Sequence, residues 1–151
     1  MGPTAVGKTA AAVRLARHLQ SSIISADSRQ CYRELNIGVA KPTTAELQAV
    51  HHYFINSHSV ADEVSAATFE HLALAWTAEL FQQAPAVVMV GGTGLYIRAF
   101  TDGLDTIPPV DQSIRSHIRL HYEEQGLGWL QTEIQKYDPA YYAAGEILNP
   151  Q

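Results

Sequence analysis

A chain of 151 residues with 46% hydrophobic and 17% charged residues is long enough to bury a core and too apolar to be disordered. No apolar run nears the roughly 20 residues that cross a bilayer; the longest, APAVVMV, is strand-sized, no secretory leader is read, and a cytoplasmic protein without membrane attachment is expected. A single Cys31 excludes an internal disulfide framework and fits a reducing compartment.

The net charge of −5 is unevenly divided. Within residues 1–50, Lys8, Arg14, Arg17, Arg29, Arg33 and Lys41 are set against Asp27, Glu34 and Glu46, a balance of +3 that leaves −8 for residues 51–151. The first part is electropositive enough to attract anions and the rest is a solvated acidic body.

In chain order, residues 8–20 read as a helix, with Ala12, Leu15, Ala16 and Leu19 at helical spacing. SSIIS is a short buried strand that runs to Asp27. SRQCYREL reads as one or two helical turns, closed by the turn-forming NIG. Thr43 and Glu46 form a capping box for a helix over TAELQAV. HYFIN is a second strand. A long helix follows from Ser65 to Gln83, with Phe69, Leu72, Ala73, Trp76 and Leu80 on one face, and Pro85 stops it. AVVMV is a third strand, ending in GGTGLY. Strands alternating with helices imply a parallel α/β sheet with helices on its faces.

After Gly103 the texture is helical. VDQSIRSHIRLHYEEQG carries Ile114, Ile118 and Tyr122 four apart, LGWLQTEIQKYD carries Leu127, Leu130, Ile134 and Tyr137, and Pro139 opens a third helix. LDTIPPV reads as a hinge. The expected division is an α/β core over 1–103 and a helical portion over 104–151.

Residues Gly2, Pro3, Thr4, Ala5, Val6, Gly7, Lys8 and Thr9 spell G-x-x-x-x-G-K-T directly before a helical pattern. In such a P-loop, backbone amides aimed by a helix N-terminus cradle pyrophosphate oxygens, the lysine supplies a point charge and the threonine hydroxyl holds Mg²⁺. The motif specifies pyrophosphate rather than ATP hydrolysis, because AVVMV ends in Gly91-Gly92 and not in a carboxylate for Mg²⁺. In an open parallel sheet, ligands bind beyond the carboxyl ends of the strands. Asp27 follows one strand and Thr93 another, and neighbouring strands lie about 4.8 Å apart, so these groups can surround one small substrate.

GPTAVGKT, SADSRQCYRELNIGVAKPT and GGTGLYIRA, in this order, with PPVDQSIR and DPAYYAAGEILNPQ beyond them, resemble the tRNA dimethylallyltransferase (tRNA isopentenyltransferase) family over essentially the whole chain. The resemblance implies a P-loop NTPase-like sheet followed by the start of a helical insertion that grips the anticodon stem. It implies transfer of a dimethylallyl group from dimethylallyl diphosphate to the exocyclic amine of the adenosine 3′ of the anticodon in tRNA, with Mg²⁺ as cofactor and a monomer as the expected state. By the same resemblance Asp27 is the general base, and Asp27, Ser28, Arg29, Gln30, Thr93, Arg115 and Gln151 contact tRNA, with Thr93 also at the catalytic centre. A carboxylate suits a poor nucleophile such as the adenine amine, whose proton must leave as the carbon–nitrogen bond forms. The adenine must leave its stack to reach it.

Plainer roles compete. Asp27 can cap the next helix, Gly91, Gly92 and Gly94 can form a tight turn with Thr93 as cap, and Arg115 and Arg119, between Asp111 and Glu123, can form a solvated salt-bridged face. Arg29, Arg33 and Lys41 are either surface charge or contacts to RNA phosphate. His51, His52 and His58 lack the partners of a zinc site, and Cys31 reads as a packed small residue. The rival activities are a P-loop small-molecule or nucleotide kinase that uses ATP, a prenyltransferase acting on free adenine nucleotides, and a remnant that binds anions without catalysis. The family enters its loop from an apolar strand and continues past NPQ. The chain is therefore expected to be about the first half of an enzyme, clipped at both ends, poorly stable and inactive alone.

Overall fold

A computed structural model describes residues 6–105, 108 and 110–149. The chain forms two compact units, Met1–Asp105 and Thr106–Gln151. In the first unit, three strands form a parallel sheet in the order β2-β1-β3, comprising β1 (Ile23–Ala26), β2 (His52–Tyr53) and β3 (Val88–Gly91). Ile23 pairs with His52 on one side and with Val88 on the other, and the second ladder runs on to Ala26 opposite Gly91. All four residues of β1 are buried, as a central strand covered on both faces requires.

Alternation along β1 builds two cores. Ile23 faces Ala12, Val13 and Ala16 of α1 (Lys8–His18), together with Val50 and Val88. Ile24 and Ala26 belong to the opposite cluster with Phe69, Ala73 and Leu80 of α3 (Ala66–Leu80) and Tyr96 of α4 (Gly94–Asp102). The small side chains of α1 let that helix lie close to the sheet, whereas the other face is filled by aromatic rings. Phe69 and Tyr96 stack at 4.6 Å, and Phe54 meets Phe69 edge-on at 5.1 Å.

The parallel α/β architecture matches the alternation of the sequence; several boundaries differ. Helix α1 ends at His18, its stripe turned so that Val13 is buried while Leu15 is 49% exposed. Beyond it Gln20 takes φ 51° and the Ser21 amide closes on the Ala16 carbonyl at 2.9 Å, so β1 starts at Ile23. Strand β2 is only His52–Tyr53, because Phe54 turns to φ 64° and drops its ring into the aromatic core. SRQCYREL forms no helix. The Asp27 carboxylate takes the Arg29 and Gln30 amides, and Tyr32 bridges to His58, so local side-chain bonds and a non-local pairing displace the helical ladder.

The Thr43–Glu46 capping box opens α2 (Thr44–Ala49) as expected. A second, Ser65 with Thr68, opens α3, which ends at Leu80 as the Gln82 and Gln83 amides tighten onto the carbonyls three residues back.

In the second unit, α5 (Gln112–Tyr137) is broken at Gly126, where φ 74° and ψ −169° interrupt it into the two segments that the spacing implies. Asp138 caps α6 (Pro139–Ala144) through the Tyr141 amide, with Pro139 in the first turn. No residue of α5 or α6 is buried. Among the described residues no helix is long and apolar enough to cross a membrane.

Two residues of the first unit give clear tests. A Cβ on Gly91 would lie 2.0 Å from the Ala26 carbonyl oxygen, whereas one on Gly92 would meet nothing within 4 Å. In urea unfolding, Gly91→Ala is expected to lose about 3 kcal/mol or more, as overpacked sites do, while Gly92→Ala stays near the parent. Cys31 is fully buried, its thiol directed at the Ser28 carbonyl at 3.6 Å, and burial pushes it up to about 11. A thiol-specific disulfide reagent at pH 8 is expected to label it far more slowly in the folded chain than in urea. The unfolded thiol ionises first, so stability contributed by the neutral thiol is lost as pH rises from about 9 towards 11.

Candidate active site

A cavity of about 360 Å³ opens where α1 begins and β1 and β3 end. Lys8, Thr9 and Ala10 line it from α1, Asp27 from the turn after β1, Gly91 and Gly92 from the end of β3, and Glu46 from α2. Thus two of the three sequence motifs contribute lining side chains, and the third contributes backbone. Of the phosphate loop, Gly2, Pro3, Thr4 and Ala5 lie outside the described residues. Val6 is 60% exposed, and Gly7 enters α1 at φ 83°, a left-handed conformation that a side chain resists although space is open there. Among the described residues no side chain caps α1 and no acidic residue stands in its first turn, which leaves the positive end of the helix dipole at the cavity.

Asp27 is oriented by its own turn. Its Oδ1 accepts the Arg29 amide at 3.0 Å and the Gln30 amide at 3.3 Å. None of the hydrogen bonds from the described residues reaches Oδ2. The reading of Asp27 as a helix cap therefore becomes a cap of a tight turn, with one oxygen left for a ligand. Thr93 does not cap α4 with its side chain. Its hydroxyl accepts the Ser28 amide at 3.0 Å and faces the Ser28 hydroxyl at 3.4 Å, while its own amide donates to Ala26 at 3.1 Å. Thr93 thus ties the two strand ends together, and neither it nor Ser28 lines the cavity.

Gln30 does line it. Its side-chain carbonyl accepts the Ser25 hydroxyl at 3.0 Å and its amide donates to the Ala40 carbonyl at 2.8 Å. Arg29 is exposed beside the site. Arg115 lies in the second unit, on α5, where its neighbour Arg119 pairs with Glu123 at 3.1 Å. Gln151 lies outside the described residues.

Two of the basic residues read as candidates for RNA phosphate have internal partners. Lys41 donates to the Tyr32 carbonyl at 2.7 Å, to Asn56 at 2.6 Å and to Asn36 at 3.5 Å, and Arg33 donates to the Ser57 carbonyl at 3.1 Å. They stitch the segment after β1 to the one after β2, and so fix the rim of the cavity formed by Ala40, Lys41 and Pro42.

The polar floor is not evident from the sequence. Ser25 and His52, 2% and 8% exposed, are the buried polar residues among the described ones, and both line this cavity. His52 Nδ1 lies 2.8 Å from the Val50 carbonyl, which can only accept, so Nδ1 carries the proton and Nε2 is left buried without a partner. The signal for Ser25 is only a polar residue within an apolar run, which does not say what it faces; His52 resembles its neighbour His51 until the register places it beside Ile23. Glu46 completes the wall, its carboxyl held below the usual range first by the Thr43 amide and then by the Thr43 hydroxyl.

The family model described as IPP transferase matches residues 30–151. A tRNA dimethylallyltransferase of Christiangramia forsetii is 47% identical over 150 residues, 99% of this chain and 50% of that protein. One from Flavobacterium johnsoniae is 39% identical over 151 residues, 100% of this chain and 49% of that protein. Among solved structures, the full-length tRNA isopentenylpyrophosphate transferase of Bacillus halodurans superposes with TM-score 0.66 at 35% identity, covering 98% of this chain and 49% of that one. A eukaryotic dimethylallyltransferase acting on tRNA shares the fold, with TM-score 0.76 at 22% identity over 97% of this chain and 36% of that one. The chain spans about half the length of the curated relatives it matches. With a P-loop NTPase-like parallel sheet and a family model covering most of its length, the chain belongs to the IPP transferase family.

Proposed function

We propose that this chain carries the donor seat and the base of a tRNA dimethylallyltransferase. The observation that supports it most is a single cavity lined by Lys8, Thr9 and Asp27 together. The α1 N-terminus and the Lys8 ammonium suit a diphosphate, and Asp27 presents one oxygen to whatever lies beside it. In the reaction, the exocyclic nitrogen of adenosine bonds to the first carbon of the dimethylallyl group as that carbon's bond to oxygen breaks. Pyrophosphate departs, and the proton of the amine passes to the Asp27 carboxylate. Gln30 and Ser25 keep the Asp27 turn in place by linking it to the floor and to the Ala40 rim.

Mg²⁺ fits the donor set. Thr9 and Asp27 supply oxygens to the lining of one cavity, and Mg²⁺ prefers one or two protein oxygens completed by phosphate and water. The Thr9 hydroxyl would be that ligand, and the ion would offset the charge of the departing diphosphate. An RNA partner is supported by the electropositive first part of the chain and by the relatives, which are named for tRNA. Arg29, exposed on the turn that carries Asp27, would serve for a phosphate contact, and Arg115 is carried on the second unit.

Dimethylallyl diphosphate is expected to bind the chain in a calorimetric titration with Mg²⁺ present, and Lys8→Met to weaken it by about tenfold or more, as loss of a charged hydrogen bond implies. Equal affinity for both would remove the loop from the donor site. In any preparation that transfers label from dimethylallyl diphosphate to unmodified tRNA, Asp27→Asn is expected to lower kcat by about 10²- to 10⁴-fold with donor binding retained. Undiminished turnover would remove Asp27 as the base. Phosphate transfer from ATP, independent of the prenyl donor, would favour a kinase instead.

A further inference from the structure

The second unit carries a pair of histidines that the transferase reading does not use. His117 and His121 stand one turn apart on the first segment of α5, their rings 4.2 Å apart and inclined at 47°. His117 is exposed and His121 half-buried. His121 Nδ1 lies 3.0 Å from the His117 carbonyl. A carbonyl only accepts, so that nitrogen holds the proton, and the lone pair of His121 is on Nε2. Trp129 backs the ring, stacked at 5.1 Å with the planes 29° apart, from beyond the Gly126 break.

We propose that His117 and His121 form a two-point site for a borderline first-row transition cation, Zn²⁺, Ni²⁺ or Cu²⁺. Two histidines at i and i+4 meet on one helix face and can share an ion. Imidazole nitrogens each about 2.0–2.1 Å from a tetrahedral ion lie roughly 3.3 Å from one another and set their ring centroids about 5 Å apart; the His117 and His121 centroids stand 4.2 Å apart, so the rings would open by about 1 Å to share an ion. The second requirement of a ligating histidine is met in advance at His121. Its other ring nitrogen is bonded to a backbone carbonyl, which fixes the tautomer and raises the basicity of the donor. Among the described residues no group of three His, Cys, Asp or Glu suited to a metal exists, so water fills the remaining positions. The ranking is that of nitrogen donors generally, with Cu²⁺ bound more tightly than Ni²⁺ or Zn²⁺. Mg²⁺, which demands oxygen, is excluded from this site.

The stack on Trp129 gives the site its own reporter. Cu²⁺ held by His121 lies close to the Trp129 indole and quenches its emission; the other tryptophan, Trp76, packs against the aromatic core of the first unit and is common to both chains compared. The test is calorimetric titration of NiCl₂ alone into the full 151-residue chain, alongside Cu²⁺ quenching of Trp129 read as the difference between the chain and Trp129→Phe. One saturable Ni²⁺ equivalent is expected, weakened about tenfold or more by His117→Gln and equally by His121→Gln, with His51→Gln unchanged. The quenching is expected to saturate with the same stoichiometry and to become unsaturable in His121→Gln. Absence of a saturable equivalent, or undiminished affinity in either His117→Gln or His121→Gln, overturns the proposal. None of these readings involves prenyl donor or tRNA, so the outcome is independent of the transferase reading.

Discussion

The close approach of Ala26 and Gly91 is the constraint on which the site depends. A methyl group at Gly91 would collide with the Ala26 carbonyl, and from that point the Thr93 amide and hydroxyl reach back to Ala26 and Ser28. The ends of β1 and β3 are thereby fixed relative to each other, and the turns leaving both strands become parts of one cavity wall. The energies of the individual hydrogen bonds are modest, about 1 kcal/mol each. Their effect is chiefly geometric, because each removes a degree of freedom from the turn that carries Asp27.

That turn shows how one carboxylate can be both structural and chemical. Oδ1 satisfies two backbone amides that would otherwise stand unpaired at a strand end, and the arrangement aims the rest of the group. Gln30 extends the same pattern: its backbone amide holds Asp27, its side-chain carbonyl receives Ser25 and its side-chain amide holds Ala40. The sequence resemblance implies RNA contact for Gln30, and its placement adds a positioning role. Lys41 and Arg33 belong with it, as cations whose donors hold backbone and amide oxygens rather than waiting for phosphate.

The architecture was legible because its signals are periodic. Strands alternating with amphipathic helices specify a parallel α/β sheet, and the Thr43–Glu46 box and Pro139 mark helix starts through local chemistry alone. What was not legible depends on partners far along the chain. Nothing within SRQCYREL announces that Tyr32 will pair with His58, or that Asp27 will claim the amides a helix would need. Phe54 leaves β2 because an aromatic core assembled from α3 and α4 awaits it. In the site, the phosphate loop and Asp27 stand out by motif and position. Ser25, Glu46 and His52 emerge only when the register of β2 beside β1 and the seat of α2 are known.

The order in which the strands lie has a kinetic corollary. Strand β1 sits between β2 and β3, so its ladder to β3 joins segments separated by the whole of α2, β2 and α3. Pairings of such long sequence separation form late and slowly, since the intervening chain must be gathered before any bond rewards it. Gly91 and Gly92 therefore reach Asp27 only once that long crossover has closed. A collapsed chain lacking this closure would retain much of its helix yet have no complete pocket, so a ligand that needs the entire lining would recognise only molecules that had finished folding and would draw the population towards them.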